Sequence, residues 1–183
     1  MITPNKQPKL TIELVPKTCH YSSARTILTK KQWDIVRFMA YEEANNKCKI
    51  CKQLGKEQGF RHNLEAHEIW EYDDVNNIQS LIGLIALCPK CHLTKHIGRA
   101  NAMGKQALIF EHIEKVNKWS HLDVLNHLVE SFELYKVRST HEWKLDLTIL
   151  TQEPYNLKLN TPTKRKFDKK KVYKKRKRRK VRK

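Results

Sequence analysis

No apolar run in this chain is long enough to cross a bilayer. The longest unbroken stretch is Leu84 to Cys88, or Leu81 to Cys88 if Gly83 is admitted, far below the roughly 20 residues a spanning helix needs. The first residues, Met1-Ile2-Thr3-Pro4-Asn5-Lys6, carry no apolar signal run, so the expectation is a cytoplasmic protein with no membrane partner. Apolar residues are also scarce, at 39% of 183 residues. That supports one modest domain with tails. The five cysteines are an odd number, which argues against a disulfide scaffold and toward thiolate or metal chemistry.

Acidic residues are missing from one place above all. Residues 164–183 hold 15 Lys and Arg against a single acid, Asp168. They therefore carry +14 of the chain's +18, leaving +4 for residues 1–163. The basic positions are Lys164, Arg165, Lys166, Lys169, Lys170, Lys171, Lys174, Lys175, Arg176, Lys177, Arg178, Arg179, Lys180, Arg182 and Lys183. With only Phe167, Val172, Tyr173 and Val181 to bury, the segment reads as a disordered basic tail. A solubilising role is the plain reading. A run this dense in cations also suits a polyanion, because neutralised phosphates release condensed counterions. The expected partner is nucleic acid, DNA ahead of RNA, with the oligomeric state open.

Along the body, no internal repeat is present. Residues 9–15 alternate, with Leu10, Ile12 and Leu14 on one side, and read as a short strand. Thr29 suits the N-cap of a helix from Lys30 to about Asn45, with Trp33, Val36 and Ala40, and also Ile35 and Met39, as its apolar stripe. Residues 63–72 and 80–87 read as strands. Pro89 opens a helix to about Gly98. Two more helices follow near 105–118 and 121–136, the second with Ser120 and Asp123 placed as a capping box and with Leu122, Leu125, Val129 and Phe132 as its apolar positions. Residues 142–150 alternate again. The expected fold class is α+β: residues 1–47 as a strand and helix, 48–100 as a small ββα-metal zinc-knuckle core, 101–153 as a helical pair and strand, and 154–183 as linker and tail.

Cys48-Lys49-Ile50-Cys51 and Cys88-Pro89-Lys90-Cys91 are two CxxC pairs, with 36 residues between the inner cysteines. Two residues between ligands let both thiolates meet one metal from a tight turn. Two such knuckles complete a four-thiolate shell, so Cys48, Cys51, Cys88 and Cys91 are expected to hold a structural Zn²⁺. Cys19 lies outside both pairs and reads as an ordinary small side chain. His92 and His96 stand four apart on the predicted knuckle helix and share a face. His67 sits on the strand before it. Trp70 and Tyr72 read as core aromatics, and Glu71, Asp73 and Asp74 as a solvated turn.

Leu64-Glu65-Ala66-His67-Glu68-Ile69 followed by Leu87-Cys88-Pro89-Lys90-Cys91-His92-Leu93-Thr94-Lys95-His96 resembles the HNH endonucleases over about residues 48–98. That resemblance implies a ββα-metal core in a zinc-knuckle frame. It implies a catalytic divalent ion (Mg²⁺, Mn²⁺, Ni²⁺ or Zn²⁺) on His67, His92 and His96. It also puts Glu68 where the family carries its general-base histidine. A register slipped by one makes His67 the base and leaves Ala66 at a ligand position. The family's middle Asn is replaced by Gly83, with Asn76 or Asn77 as loop substitutes. The implied activity is phosphodiester hydrolysis of DNA with low sequence specificity. The alternative is a non-catalytic zinc module that binds DNA or RNA.

Overall fold

The computed structural model describes residues 7–20 and 23–159. The basic tail lies outside these residues. The fold is mixed α and β. Helix α1 (Ala24–Ile27) and helix α2 (Lys30–Glu43) lead to a hairpin of strands β1 (Glu65–Asp73) and β2 (Ile78–Leu87). Helices α3 (Pro89–Lys95), α4 (Ile97–Ala102), α5 (Gln106–Asn117) and α6 (His121–Arg138) follow, then strand β3 (Lys144–Asp146). The sheet order is β1-β2-β3, so among the described residues β1 lies at one edge of the sheet.

The hairpin supplies both halves of the core. β1 and β2 pair antiparallel from Glu65 opposite Leu87 to Asp73 opposite Ile78. The register steps between Ile69 and Trp70, which face Gly83 and Leu81, so Ile82 is an extra residue on β2. This bulge resets the two-residue alternation of the strand. Leu81 and Leu84, three apart, therefore both join a cluster with Ala24, Leu28, Val36, Ala40, Leu147 and Leu150. Leu87 joins the other cluster, with Leu10, Ile12, Leu93, Ile97, Ile109, Ile113 and Val124. Tyr155, Leu157 and Leu159 pack against the Leu81 side.

Local signals placed most helix ends. Thr29 and Gln32 form a reciprocal capping box on α2, and Ser120 and Asp123 do the same on α6, satisfying N–H groups the helix leaves open. Asn45 and Asn46 stop the α2 region in the left-handed conformation, which Asn tolerates better than most residues. Pro89 stands at the first position of α3.

Four expectations differ. Residues 9–10 bend and 11–15 have no regular structure, with Leu10 and Ile12 buried as expected, and among the described residues they join no sheet. Side chains take their backbone groups: Asn117 accepts from Leu10 N (2.9 Å) and donates to Leu10 O (2.7 Å), and His127 Nε2 accepts from Ile12 N (2.9 Å). The knuckle helix is two helices, because His96 leaves the helical conformation between them. Residues 142–150 give only three strand residues, parallel to β2. Asp146 Oδ1 then accepts from Thr148 N (2.8 Å) and turns the chain into a 3₁₀ helix, which buries Leu147 and Leu150 three apart. On α6 the core side is Val124 with Leu128, while Leu122 and Val129 are 65% and 60% exposed. Apolar residues ring that helix, so its periodicity does not select one face. Ile35 on α2 is likewise exposed.

Candidate metal centres

Cys48 and Cys51 come from the turn after α2. Cys88 is the N-cap of α3, and Cys91 lies in its first turn. The four sulfurs lie within 4.8 Å of one another, with Cys51 Sγ 3.5 Å from Cys88 Sγ. No disulfide joins them. Zinc–sulfur bonds of about 2.3 Å place tetrahedral sulfurs about 3.8 Å apart, so the quartet could hold a metal such as zinc. Cys48, Cys88 and Cys91 are buried and Cys51 half-buried.

The electrostatics agree with that donor set. Hydrogen bonds from Cys51, Cys88 and Cys91 pull the Cys48 thiol below its ordinary range, while Cys48, Cys51, Cys88 and burial push Cys91 up. Four thiolates cannot share this space without a cation. Gly55 seats the loop between the first knuckle and β1. A Cβ there would lie 2.1 Å from His62 O and 2.6 Å from Pro89 Cδ, so only glycine lets the loop reach the second knuckle. Cys19 is buried away from the quartet, as its position outside both pairs suggested.

The second centre is formed by β1 and α3. His67 from β1, His92 from α3 and His96 just past its end bring one ring nitrogen each to within 4.8 Å of one another. Ring centroids are 5.4, 5.0 and 4.6 Å apart for 67–92, 67–96 and 92–96. Burial lowers His67 from its ordinary value, against the pull of Glu13. Burial, then His92 and His67, bring His96 down to about 3. Neutral imidazoles keep a lone pair available for a metal.

Two carboxylates complete the surroundings, and the sequence pattern had assigned neither. Glu13 Oε2 lies 3.0 Å from His67 Nε2, and its other oxygen pairs with Lys95. Glu65 pairs with His92 Nδ1 and, at 2.6 Å, with His62 Nε2. Burial acts to raise both carboxyls, yet these partners outweigh it and hold each at about 2. Carboxylates that grip one ring nitrogen of a histidine orient the other toward a metal.

Glu68 is not one of the three. Adjacent strand residues point to opposite faces, and the Glu68 carboxylate accepts from Arg25 N (3.0 Å) at the start of α1. Because β1 is an edge strand, both faces reach one cleft of about 640 Å³, lined among others by Glu13, His67, Glu68, His92 and His96. Burial raises the Glu68 carboxyl above its ordinary value, against the N–H groups of Arg25 and Ala24. Ala66 packs against the Leu81 cluster and also lines the cleft beside His67 and Glu68.

Asn76 and Asn77 sit in the turn at the far end of the hairpin, where Asn76 Nδ2 donates to Asp73 Oδ2 (2.7 Å). About six strand residues, near 20 Å, separate them from His67, so neither reaches the triad. Asp74 pairs with Arg138 at 2.8 and 2.6 Å. Trp70 packs into the Leu81 cluster, and Tyr72 meets Trp143 edge-on at 5.0 Å. Among the described residues no helix is long and apolar enough to cross a membrane.

The architecture is thus a β-hairpin and helix carrying a cysteine quartet and a histidine triad. Comparison with protein-family models, with curated proteins and with solved structures finds no match to this chain.

Proposed function

We propose that this protein is a metal-dependent, HNH-type endonuclease that hydrolyses phosphodiester bonds of DNA with low sequence specificity. The observation that carries the reading is the convergence of His67, His92 and His96 within 4.8 Å on a cleft shared with Glu68. The resemblance of residues 48–98 to that family points the same way.

The donor set fits a divalent ion. Three neutral nitrogen ligands suit Zn²⁺ or Ni²⁺ better than Mg²⁺, which prefers oxygen. When bound, such an ion supplies positive charge to the scissile phosphate and the leaving 3′ oxygen. His67, His92 and His96 would hold it, with Glu65 fixing the ring of His92. Glu68 is the group in the cleft available to take a proton from the attacking water. Its raised carboxyl is a better match to that step than a free carboxylate near 4.3. The cysteine quartet, closed by four protein ligands, has no position for water and serves the frame. The 15 cations of residues 164–183 supply sequence-independent affinity for the phosphate backbone.

One observation favours a second reading, a non-catalytic zinc module that binds DNA or RNA. The Glu68 carboxylate is already engaged by Arg25 N, a bond that gives it a structural role without chemistry. A plasmid-nicking assay separates the two. The nuclease reading expects nicking with Zn²⁺, Ni²⁺ or Mn²⁺, loss of it in EDTA and in His67→Ala, and unchanged DNA affinity in that variant. Metal-independent affinity with no nicking under any of these ions would leave the binding module standing.

A further inference from the structure

The N-terminal segment bonds to the end of α3 and brings Glu13 to the histidine triad. Asn117 and His127 hold Leu10 and Ile12 by their backbones. Ser131 Oγ reaches Ile12 O at 3.4 Å, and Glu13 N donates to Lys95 O at 3.2 Å. Four successive anchors therefore fix where Glu13 stands. Lys95, only 7% exposed, gives its ammonium to Thr11 Oγ1 at 2.8 Å and to Glu13. Burying an ammonium is costly unless it is paired and hydrogen-bonded, and here Glu13 is the pair. The carboxylate is thus held from one side by Lys95, leaving its Oε2 3.0 Å from His67 Nε2.

We propose that Glu13 is the positioning residue of the histidine triad: its carboxylate takes the N–H of His67 Nε2, fixing the tautomer whose free lone pair, on Nδ1, is offered to a metal. An ionised carboxylate only accepts, so the imidazole must donate across this contact. A neutral ring with its proton on Nε2 has one remaining lone pair, on Nδ1. The Glu65–His92 contact works in the opposite sense, since it engages Nδ1 and leaves Nε2. The two helix-side and strand-side histidines therefore present different nitrogens, each selected by its own carboxylate. This inference rests on the triad being a metal site, but not on its being catalytic.

The test uses the full chain with one equivalent of Zn²⁺ on the cysteine quartet. Nitrogen-15 NMR of the labelled histidines reads the His67 tautomer directly, and calorimetric titration with further Zn²⁺ reads the triad. In the wild type, neutral His67 should carry its proton on Nε2. Glu13→Ala should give a tautomer mixture and weaken the second zinc about 10- to 100-fold, the usual scale for losing such a partner, while the first zinc stays. Glu13→Gln, which keeps an acceptor oxygen but no charge, should recover part of that loss. A merely structural Glu13 would leave the tautomer unmoved. His67 protonated on Nδ1 in the wild type, or an unchanged tautomer and zinc affinity in both variants, would overturn the proposal. Should Glu13→Ala not fold, the wild-type tautomer and Glu13→Gln decide it alone. An inert wild type in the nicking assay with the expected tautomer would sink the nuclease reading and leave this one intact.

Discussion

His112 Nε2 lies 3.1 Å from Cys91 Sγ. The histidine is buried on α5, 21 residues beyond the cysteine, and it ties the helical hairpin to the knuckle. An N–H directed at a thiolate shares its negative charge and fixes its orientation, which is how an outer partner tunes a metal site. His112→Ala should release metal from the cysteine quartet about 10- to 100-fold more readily to a competing chelator. Chelator titration with a colorimetric zinc indicator measures it. Equal retention in variant and wild type would make His112 a packing residue only.

Removing a ligand should cost far more than removing its partner. The quartet brings together the turn after α2, the end of β2 and the seven-residue helix α3. A structural zinc contributes of order 10 kcal/mol to folding in small domains. Cys88→Ser, or dialysis of the wild type against a strong chelator, should therefore unfold most of residues 48–98. Far-ultraviolet circular dichroism and thermal melting read this outcome. An unaltered melt after complete zinc removal would contradict a metal role for the quartet.

The four cysteines and three histidines were legible because their spacings are local: CxxC, CxxC and HxxxH each lie within one turn or helix. The hairpin was legible too, since β2 is rich in aliphatic residues and β1 carries Ile69, Trp70 and Tyr72, types that favour strands. Glu13 was not legible. It is one acid in a short alternating segment, held over α3 by groups distant in sequence: the side chains of Asn117 and His127, more than a hundred positions away, and Lys95. His112 does leave a signal in the sequence. It shares the stripe of Ile109, Ile113 and Val116 on α5, and a histidine in a buried stripe needs a partner. The bulge at Ile82 has one marker, the isolated Gly83 beside it, since a glycine inside a strand often accompanies a bulge, and it decides which residues of β2 face which cluster.

A third expectation concerns pH. The Tyr72 phenol is held above its ordinary value by burial and the neighbouring Cys19, against the pull of Arg138. The neutral form is thus the one the fold accepts, and the unfolded phenol titrates near 10. The stabilisation from keeping Tyr72 neutral is fully present below pH 10 and is lost as pH rises beyond it. Tyr72→Phe lacks that dependence. The difference in urea midpoint between wild type and variant should be constant from pH 7 to 9 and shrink above 10. A difference that stays flat to pH 11 would mean the phenol ionises freely in the fold.

The basic tail can be tested without reference to the fold. Deleting residues 164–183 removes 15 cations and one acid. If about 8 of those cations neutralise phosphates, the log–log slope of DNA affinity against salt should fall by roughly 7. Fluorescence anisotropy on a labelled duplex from 50 to 300 mM salt reads the slope. Nicking at saturating DNA should stay within about twofold, because the deletion removes no triad ligand. A salt slope unmoved by the deletion would assign the tail to another partner.

The sharpest test falls on Glu68, whose carboxylate has two possible employments. As a cap it accepts from Arg25 N at the start of α1. As a base it would take a proton from water in the cleft it shares with the triad. Glu68→Gln separates the two, since the amide oxygen still accepts from Arg25 N but no longer binds a proton at neutral pH. If Glu68 is the base, nicking should fall by some part of the 10²–10⁴-fold that a positioned base contributes, with an unchanged melting temperature. Glu68→Ala should add a loss of about 1 kcal/mol for the missing cap. Glu68→His restores an imidazole with a pKa near 6.5 and should raise nicking near pH 7 above the wild type. Nicking by Glu68→Gln at the wild-type rate would remove Glu68 from the chemistry and leave it as the residue that anchors α1 to the edge of β1.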